Sequence, residues 1–277
     1  MGADNKVAVV TGSSSGIGFE ASLVLARNNY YTYATMRNPD KGTKMRAAQA
    51  GENLPVEIIK LDVTSDNSVN HAIRSILSKS GRIDVLVNNA GYGLVGAFEE
   101  LGIDEIVQQF ETNFYGVIRV TQAVIPVMKK QKSGRIVNIS SGAGRFGYPS
   151  GSAYVSTKFA LEGLSECMAY ELDPFGIQVI LVEPGFVRTN FSGVIAKRSR
   201  EADSQYSKMM EKMAGRMEEM RENSSSPELV ANIVLEAVTI KNPNLRYLAG
   251  KDVERWIEQK KKLSDREFFN MIRQSLI

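Results

Sequence analysis

A single cysteine and a single histidine among 277 residues close off a large part of enzyme chemistry for this chain. Cys167 can form no internal disulfide, and its apolar helical neighbours make it a core residue rather than a nucleophile. His71 falls in the amphipathic run that carries Val69, Ala72, Ile73, Ile76 and Leu77, which predicts a partly exposed helix position. With one residue of each kind, zinc sites and histidine-based triads are excluded and no metal is expected. An excess of one charge is missing too: 34 Lys and Arg face 31 Asp and Glu, a formal +3 with the signs interspersed. That balance gives no footprint for nucleic acid or another polyanion. No run approaches the roughly 18 apolar residues of a membrane span. The first strand pattern begins by Lys6, leaving no room for a signal peptide, and Lys6 stands where a myristoylation motif needs Ser or Thr. The expectation is a soluble, cytoplasmic protein.

What the chain does contain is a rhythm. Short β-branched runs at 6–11, 30–36, 56–61, 83–88, 135–140, 177–182 and 245–249 alternate with longer segments of helical period. Runs such as Val7-Ala8-Val9-Val10 and Ile177-Gln178-Val179-Ile180-Leu181-Val182 are almost wholly apolar, as strands covered on both faces must be. The pattern predicts an α/β fold with a doubly wound parallel sheet in one domain over 1–277, without repeats or low-complexity linkers. The exception is the charged, Met-rich stretch 191–226. Met209, Met213, Met217 and Met220 make a helical stripe there, readable as an amphipathic helix packed on the body or as a lid over an apolar substrate. Ser226 and Pro227 then supply an N-cap and a first helical residue.

The first strand runs into Thr11-Gly12-Ser13-Ser14-Ser15-Gly16-Ile17-Gly18 and an apolar helix. Glycines at a strand-to-helix junction let backbone approach a pyrophosphate whose charge is held by the helix N-terminus. Gly12, Ser14, Ser15, Gly16, Ile17 and Gly18 are therefore read as dinucleotide-binding. The second strand ends at Arg37, where an NAD-specific protein would place an acid against the ribose 2′-hydroxyl; a guanidinium there suits a 2′-phosphate, which Ser14 could help to hold. NADP(H) is the expected cofactor, with Asp40 read as a turn residue. Asp62, followed by Val63, either accepts from the adenine amino group or serves as an acid at a helix start. After the fourth strand, Asn88-Asn89-Ala90-Gly91 has the small residues that allow the cofactor ribose to come close.

Tyr154 and Lys158 lie four residues apart, with Ser141 thirteen residues upstream of Tyr154. On a helix, positions i and i+4 share a face, which brings the Lys158 ammonium beside the Tyr154 ring. Pulling a phenol from a pKa near 10 toward 7 needs roughly 4 kcal/mol. One ammonium at roughly 4 Å supplies about 4 kcal/mol at an effective dielectric of 20, before desolvation is subtracted. Lys158 alone is marginal, and a second positive charge is called for. By itself a Tyr and a Lys at this spacing is also what any surface helix can carry; the surrounding motifs decide otherwise.

Taken in order, these residues resemble the short-chain dehydrogenases/reductases over roughly 6–191. The likeness rests on the glycine run, Asp62, Asn88 to Gly91, Asn113, Ser141, Tyr154 with Lys158, and Pro184-Gly185 followed by Thr189. It implies a Rossmann-like sheet of seven strands and a catalytic tetrad of Asn113, Ser141, Tyr154 and Lys158. It also implies cofactor contacts from Asn89, Ala90, Gly91, Tyr154, Lys158, Pro184, Gly185, Val187 and Thr189. In such enzymes Tyr154 would exchange the proton while nicotinamide exchanges the hydride. Ser141 would hold the substrate oxygen, and Lys158 would bind the nicotinamide ribose and tune the tyrosine. Asn113 would hold a water linking Lys158 to solvent, and oxidised nicotinamide would add the second positive charge. Ser140 is the neighbouring candidate for the serine role, but the spacing favours Ser141. Tyr33-Ala34-Thr35-Met36-Arg37, Gly91-Tyr92-Gly93 and the long tail resemble the hydroxysteroid and retinol dehydrogenase-like branch. Leu94, Val95, Ala143, Phe146, Tyr148 and Phe186 would line a mainly apolar pocket or, equally, serve as packing, and the substrate would be a small carbonyl or alcohol compound of apolar or amphipathic character. A 3-oxoacyl-thioester reductase and a non-catalytic NADPH-binding sensor are the alternatives. The resemblance further implies a homodimer or homotetramer built on the helices that carry Asn113 and Tyr154.

Overall fold

The computed structural model describes residues 6–189, 196–197, 205–222 and 224–277. The first half runs β1 (Lys6–Val10), α1 (Gly16–Arg27), β2 (Tyr30–Met36), α2 (Thr43–Glu52), β3 (Val56–Lys60), α3 (Asp66–Ser80), β4 (Val85–Asn88) and β5 (Leu94–Val95). There follow α4 (Ile103–Phe110), a π-helical turn (Glu111–Tyr115), α5 (Gly116–Gln131), β6 (Gly134–Ile139), α6 (Ser152–Leu172) and β7 (Ile177–Pro184). The remainder is β8 (Ala196–Lys197), α7 (Ser207–Glu222), α8 (Pro227–Thr239), β9 (Arg246–Ala249), α9 (Lys251–Lys262) and α10 (Asp265–Leu276).

Seven strands form one parallel sheet in the order β3-β2-β1-β4-β6-β7-β9. Alternate side chains of a strand point to opposite faces, and here both faces are covered. Val7 and Val9 of β1 join the layer built with Val69, Ile73 and Ile76 of α3, Val120 and Val124 of α5, and Met168 of α6. Ala8 and Val10 pack the other way, against Ala21, Val24 and Leu25 of α1 and Val230 and Val234 of α8. This is the single doubly wound domain that the apolar strands predict. Because every strand of the sheet points the same way, the segments after β1, β4, β6 and β7 all emerge along one edge. Strand order reverses between β1 and β4, and the crevice outside such a reversal is where α/β sheets hold ligands.

The local signals behave as read. Ser226 accepts from the Leu229 amide as the N-cap of α8, with Pro227 at the first helical position. Strand ends differ by one or two residues from the sequence pattern. β4 starts at Val85 because the Ile83 amide is taken by the Gln131 side chain at 3.0 Å and Asp84 turns its carboxylate onto the Val7 amide at 2.7 Å. The short parallel pair β5 and β8 was not foreseen. Cys167 is a correction: it is exposed. The buried stripe of α6 runs through Leu161, Ser165, Met168 and Leu172, and Cys167 falls outside that stripe even though its neighbours are apolar. His71 is exposed, as its helix position requires. In α7, Met213 is buried and Met220 packs with Phe268 and Ile272 of α10, which fits the amphipathic packing helix. Of the 191–226 lid reading, residues 191–195, 198–204 and 223 lie outside the described residues. Among the described residues, no helix is long and apolar enough to cross a membrane and no side-chain cluster suits a metal.

Leu86 is fully buried in the central strand β4. Leu86→Ala should therefore lower unfolding stability by about 2–5 kcal/mol, whereas Cys167→Ser should stay within ~0.5 kcal/mol of the parent. Urea unfolding of the two variants checks both, and a large loss at Cys167 would return that residue to the core.

Candidate active site

The glycine run is bound to the β4 loop by side chains. The Thr11 hydroxyl accepts from the amides of Asn89 at 2.9 Å and Ala90 at 3.0 Å, while the Asn89 side chain donates to the carbonyls of Thr11 at 2.9 Å and Gly12 at 3.2 Å. Gly12 and Gly16 have φ of 70° and 61°, in the left-handed region that favours glycine. A Cβ on Gly12 would lie 2.9 Å from the Ala90 Cα, and one on Gly18 would lie 2.4 Å from the Asn89 amide nitrogen and 2.5 Å from the Gly12 carbonyl oxygen. A Cβ on Gly16 would press on Thr189 at 3.1 Å. Ser15 caps α1 by position only: its hydroxyl accepts no bond from the helix, and the first turn holds no acid. The α1 N-terminus thus presents amides and no competing carboxylate, which fits a bound diphosphate.

Around this cradle stand the other residues read as cofactor contacts. The Ser13 amide donates to the Thr35 carbonyl at 2.9 Å, which sets the half-buried Ser14 and the exposed Ser15 near the end of β2. Arg37 follows that strand, is exposed, and makes no side-chain hydrogen bond or ion pair among the described residues. Asp62 uses Oδ1 to accept from the Thr64 amide at 3.0 Å and hydroxyl at 2.8 Å. It forms a turn before α3, so one oxygen is committed locally. Val63 is buried against Gly116, where a Cβ would approach its Cγ2 to 2.8 Å. Ile17 and Val187 pack partly against the α1 and α8 layer. Gly185 lies so close to Asp252 that a Cβ would fall 2.2 Å from its Oδ2.

The catalytic candidates come from three elements. Ser141 follows β6, and its hydroxyl accepts from the Ala143 amide at 3.1 Å and donates to the Pro184 carbonyl at 3.4 Å. It also hydrogen-bonds the Tyr154 phenol. Ser140 points elsewhere, donating to the buried Glu162 carboxylate, so Ser141 is the serine that reaches the tyrosine. Lys158 shares the α6 face with Tyr154, its Nζ 5.6 Å from the ring centroid, and it donates to the Ile139 carbonyl at 2.8 Å. Asn113 sits on the π-helical turn, a distortion frequent at functional sites. Its amide brackets Tyr92, donating to the carbonyl at 2.8 Å and accepting from the amide at 3.1 Å. It also donates at 3.3 Å to Thr157, whose hydroxyl donates to the Tyr154 carbonyl at 2.7 Å. Asn113 is a tether between the 92 loop and α6, a role its motif did not announce.

Electrostatics here are dominated by loss of water. Burial pushes the Tyr154 phenol up to about 12, against the opposing Ser141 hydrogen bond. Burial likewise pushes the Lys158 ammonium down to about 8, against the opposing Glu162 carboxylate. The energy balance that made Lys158 marginal as the only source of positive charge is visible in these directions.

The expected apolar lining divides. Leu94, Val95 and Ala143 are buried, and Phe146 stacks on Trp256 with centroids 5.7 Å apart and meets Phe268 edge-on at 5.6 Å. Tyr148 joins that cluster. These are packing residues, whereas Phe186 lines a cavity of about 280 Å³ with Glu219, Met220, Asp252 and Trp256. Apart from Met220, a member of the Met stripe, these partners were missed because they come from α7 and α9, where no spacing rule links them to the motifs.

A doubly wound α/β fold with a glycine cradle and a Ser-Tyr-Lys cluster on one sheet edge defines a class, and the comparisons name it. The short chain dehydrogenase family model matches residues 6–200. The chain belongs to the short-chain dehydrogenase/reductase family of oxidoreductases. It is 35% identical to a 3-ketodihydrosphingosine reductase of Bacteroides thetaiotaomicron, covering 90% of this chain and 89% of that one. Retinol dehydrogenase 8 of Bos taurus is 37% identical over 87% of this chain and 80% of its own length. The 17-beta-hydroxysteroid dehydrogenase type 1 of Homo sapiens is 36% identical over 87% and 76%. These relatives accord with the branch read from the sequence. Among solved structures, a short-chain dehydrogenase from Streptomyces avermitilis superposes with TM-score 0.84 at 34% identity, covering 98% of this chain and 97% of that chain. An alcohol dehydrogenase from Thermococcus sibiricus complexed with 5-hydroxy-NADP gives 0.74 at 27%, covering 88% and 96%.

Gly18→Ala fills the tightest point of the cradle. NADPH affinity, read by fluorescence titration, should fall by at least about tenfold, equivalent to ~1.4 kcal/mol; unchanged affinity would mean that the cradle does not hold the diphosphate.

Proposed function

We propose that the protein is an NADP(H)-dependent oxidoreductase that interconverts a carbonyl and a secondary alcohol on an apolar or amphipathic substrate. The observation that carries this reading is the Ser141, Tyr154 and Lys158 cluster, with Lys158 buried and the other two partly so, on the same sheet edge as the glycine cradle. When bound, the nicotinamide supplies or accepts the hydride and, oxidised, adds a positive charge beside the phenol. The chain's own residues do the rest. A phenol held up to about 12 keeps its proton at neutral pH, which suits donation to a carbonyl oxygen in the reductive direction. Ser141, already hydrogen-bonded to the phenol, donates to the same oxygen and stabilises charge that develops there. Lys158 holds the ribose and favours the phenolate in the oxidative direction. Asn113 positions the 92 loop and the Tyr154 turn of α6.

Arg37 at the end of β2 supports NADP(H), with the solved relative that carries an NADP derivative as a second support. For the substrate, the names of the retinol, hydroxysteroid and 3-ketodihydrosphingosine relatives support a largely apolar molecule. Within the single domain 1–277, the segment 191–226 is the part assigned to cover the substrate. Exposed Val107, Tyr115 and Phe159, on adjacent elements of the α4 and α6 face, support a homo-oligomer joined there.

The test is a carbonyl panel of steroids, retinoids, long-chain ketones and acyl thioesters followed by NADPH absorbance. Tyr154→Phe should cut kcat by about 10²–10⁴-fold while NADPH still binds. Turnover of thioesters alone would favour a 3-oxoacyl-thioester reductase, and tight NADPH binding with no turnover of any class a sensor. Cofactor choice is tested separately. Arg37→Asp should lower the NADPH over NADH preference by about tenfold or more, and an unmoved ratio would remove Arg37 from phosphate recognition.

A further inference from the structure

Behind the catalytic face lies a group of charged side chains that the reaction does not require to touch substrate. Glu183 of β7 is fully buried and Glu162 of α6 is 8% exposed. Burying carboxylates costs several kcal/mol each unless they are paired and hydrogen-bonded, and here both are. Arg246 of β9 places Nε 2.9 Å from Glu162 and 3.1 Å from Glu183, and its Nη2 2.6 Å from the half-exposed Glu166. Arg145, in the turn after β6, donates to both oxygens of Glu183 at 3.0 and 3.2 Å. The second oxygen of Glu162 accepts from Ser140. The fit is close enough to exclude a methyl group: a Cβ on Gly144 would lie 2.8 Å from Glu162 Cγ and 3.0 Å from Ser140 Oγ.

These bonds fix the backbone that carries the catalytic groups. Ser140 precedes Ser141, Glu183 precedes the Pro184 carbonyl that accepts from Ser141, and Glu162 lies one turn beyond Lys158 on α6. We infer that Glu162 is a positioning residue that acts through Lys158 and Ser141: its carboxylate, held by Ser140 and Arg246, keeps the buried ammonium charged and the serine turn seated on α6.

The charged and titratable groups around Lys158 are Tyr154 and Glu162 on its own helix, with Tyr148 beyond Tyr154. Behind Glu162 stand Glu183 from β7, Arg145 from the turn after β6, Arg246 from β9 and Glu166. Burial already lowers Lys158 to about 8, and Glu162 is the group that opposes the fall. Burial, together with the negative charge of Glu162, lifts Glu183 well above the usual carboxylate range. Removing the Glu162 charge must lower the pH at which Lys158 gives up its proton. A neutral Lys158 stabilises no phenolate, so activity that depends on it must be lost at a lower pH as well.

The inference rests on the proposed oxidoreductase reading for its kinetic arm only. The first measurement is independent of turnover: competitive acetylation of Lys158 in the full chain across pH, read by mass spectrometry against exposed lysines. Glu162→Gln should move the Lys158 midpoint down by about one pH unit, a tenfold change in proton affinity. In the kinetic arm, kcat/KM at pH 8 should fall about fivefold through kcat, and lowering the assay pH by one unit should recover most of it. Such recovery is not expected of a residue that only supports the fold. If Glu162→Gln does not fold, the paired variant Glu162→Gln with Arg246→Gln removes both partners and must still lower the midpoint, by less than the single variant because the more distant cation is lost with the anion. An unmoved or raised midpoint in the folded variant overturns the inference; a shifted midpoint with no turnover on any carbonyl overturns the functional reading instead.

Discussion

The close approach of the β1 and β4 loops is the constraint on which the site depends. Thr11, Asn89 and Ala90 close it with hydrogen bonds, and Gly12 and Gly18 make it possible by having no side chain. Both loops leave the sheet at the reversal of strand order, so tertiary topology, not local sequence, brings them within reach. Once they meet, the amides at the start of α1 face outward along the edge where β6 and β7 also end. Ser141 and Pro184 are then delivered to the same edge by strands in register, Ile139 opposite Val182.

How much of this could be read in the sequence follows from which forces act locally. The central strands and their intervening helices were legible because burial on two faces imposes an apolar composition directly on runs such as β1, β4 and β7. The cradle and the Tyr154, Lys158 and Ser141 trio were legible because glycine and i, i+4 constraints are short-ranged. Cys167 was misread because apolar neighbours do not tell which side of α6 meets the core; the stripe through Leu161, Ser165 and Met168 does. Asn113 was found by motif, but its work as a tether needs Tyr92 and Thr157, which lie far from it in sequence. The cavity lining was least legible of all, since Phe186, Met220 and Trp256 come from three elements with no shared spacing. A glutamate four residues beyond Lys158, on the buried face of a helix, is itself a signal in the sequence, a charge that demands partners.

Removing water from the catalytic face has opposite consequences for its two titratable groups, and the surrounding charges answer each differently. Tyr154 is held protonated by burial, which suits the proton donor proposed for it; Lys158 is pushed toward neutrality, which suits neither of the roles proposed for it. A nearby anion corrects the second effect, but an anion beside Tyr154 would raise the phenol further. Glu162 meets both demands by its position, one turn past Lys158 and two turns past Tyr154 on the same helix. Its own burial is in turn offset by Arg246 and Ser140.

That chain of compensation explains why charge is buried here at all. Ion pairs inside a protein are weak evidence for stability, because well-packed apolar groups of similar volume do as well or better. The Glu162, Glu183, Arg145 and Arg246 group joins β6, α6, β7 and β9 at the one level where each carries or adjoins a site residue. An apolar plug could hold those elements together equally well, yet it would leave Lys158 with no opposing charge in a desolvated helix face. The location of the polar cluster beneath Ser141 and Lys158 is what favours the proposed part in the chemistry over a part in the fold alone.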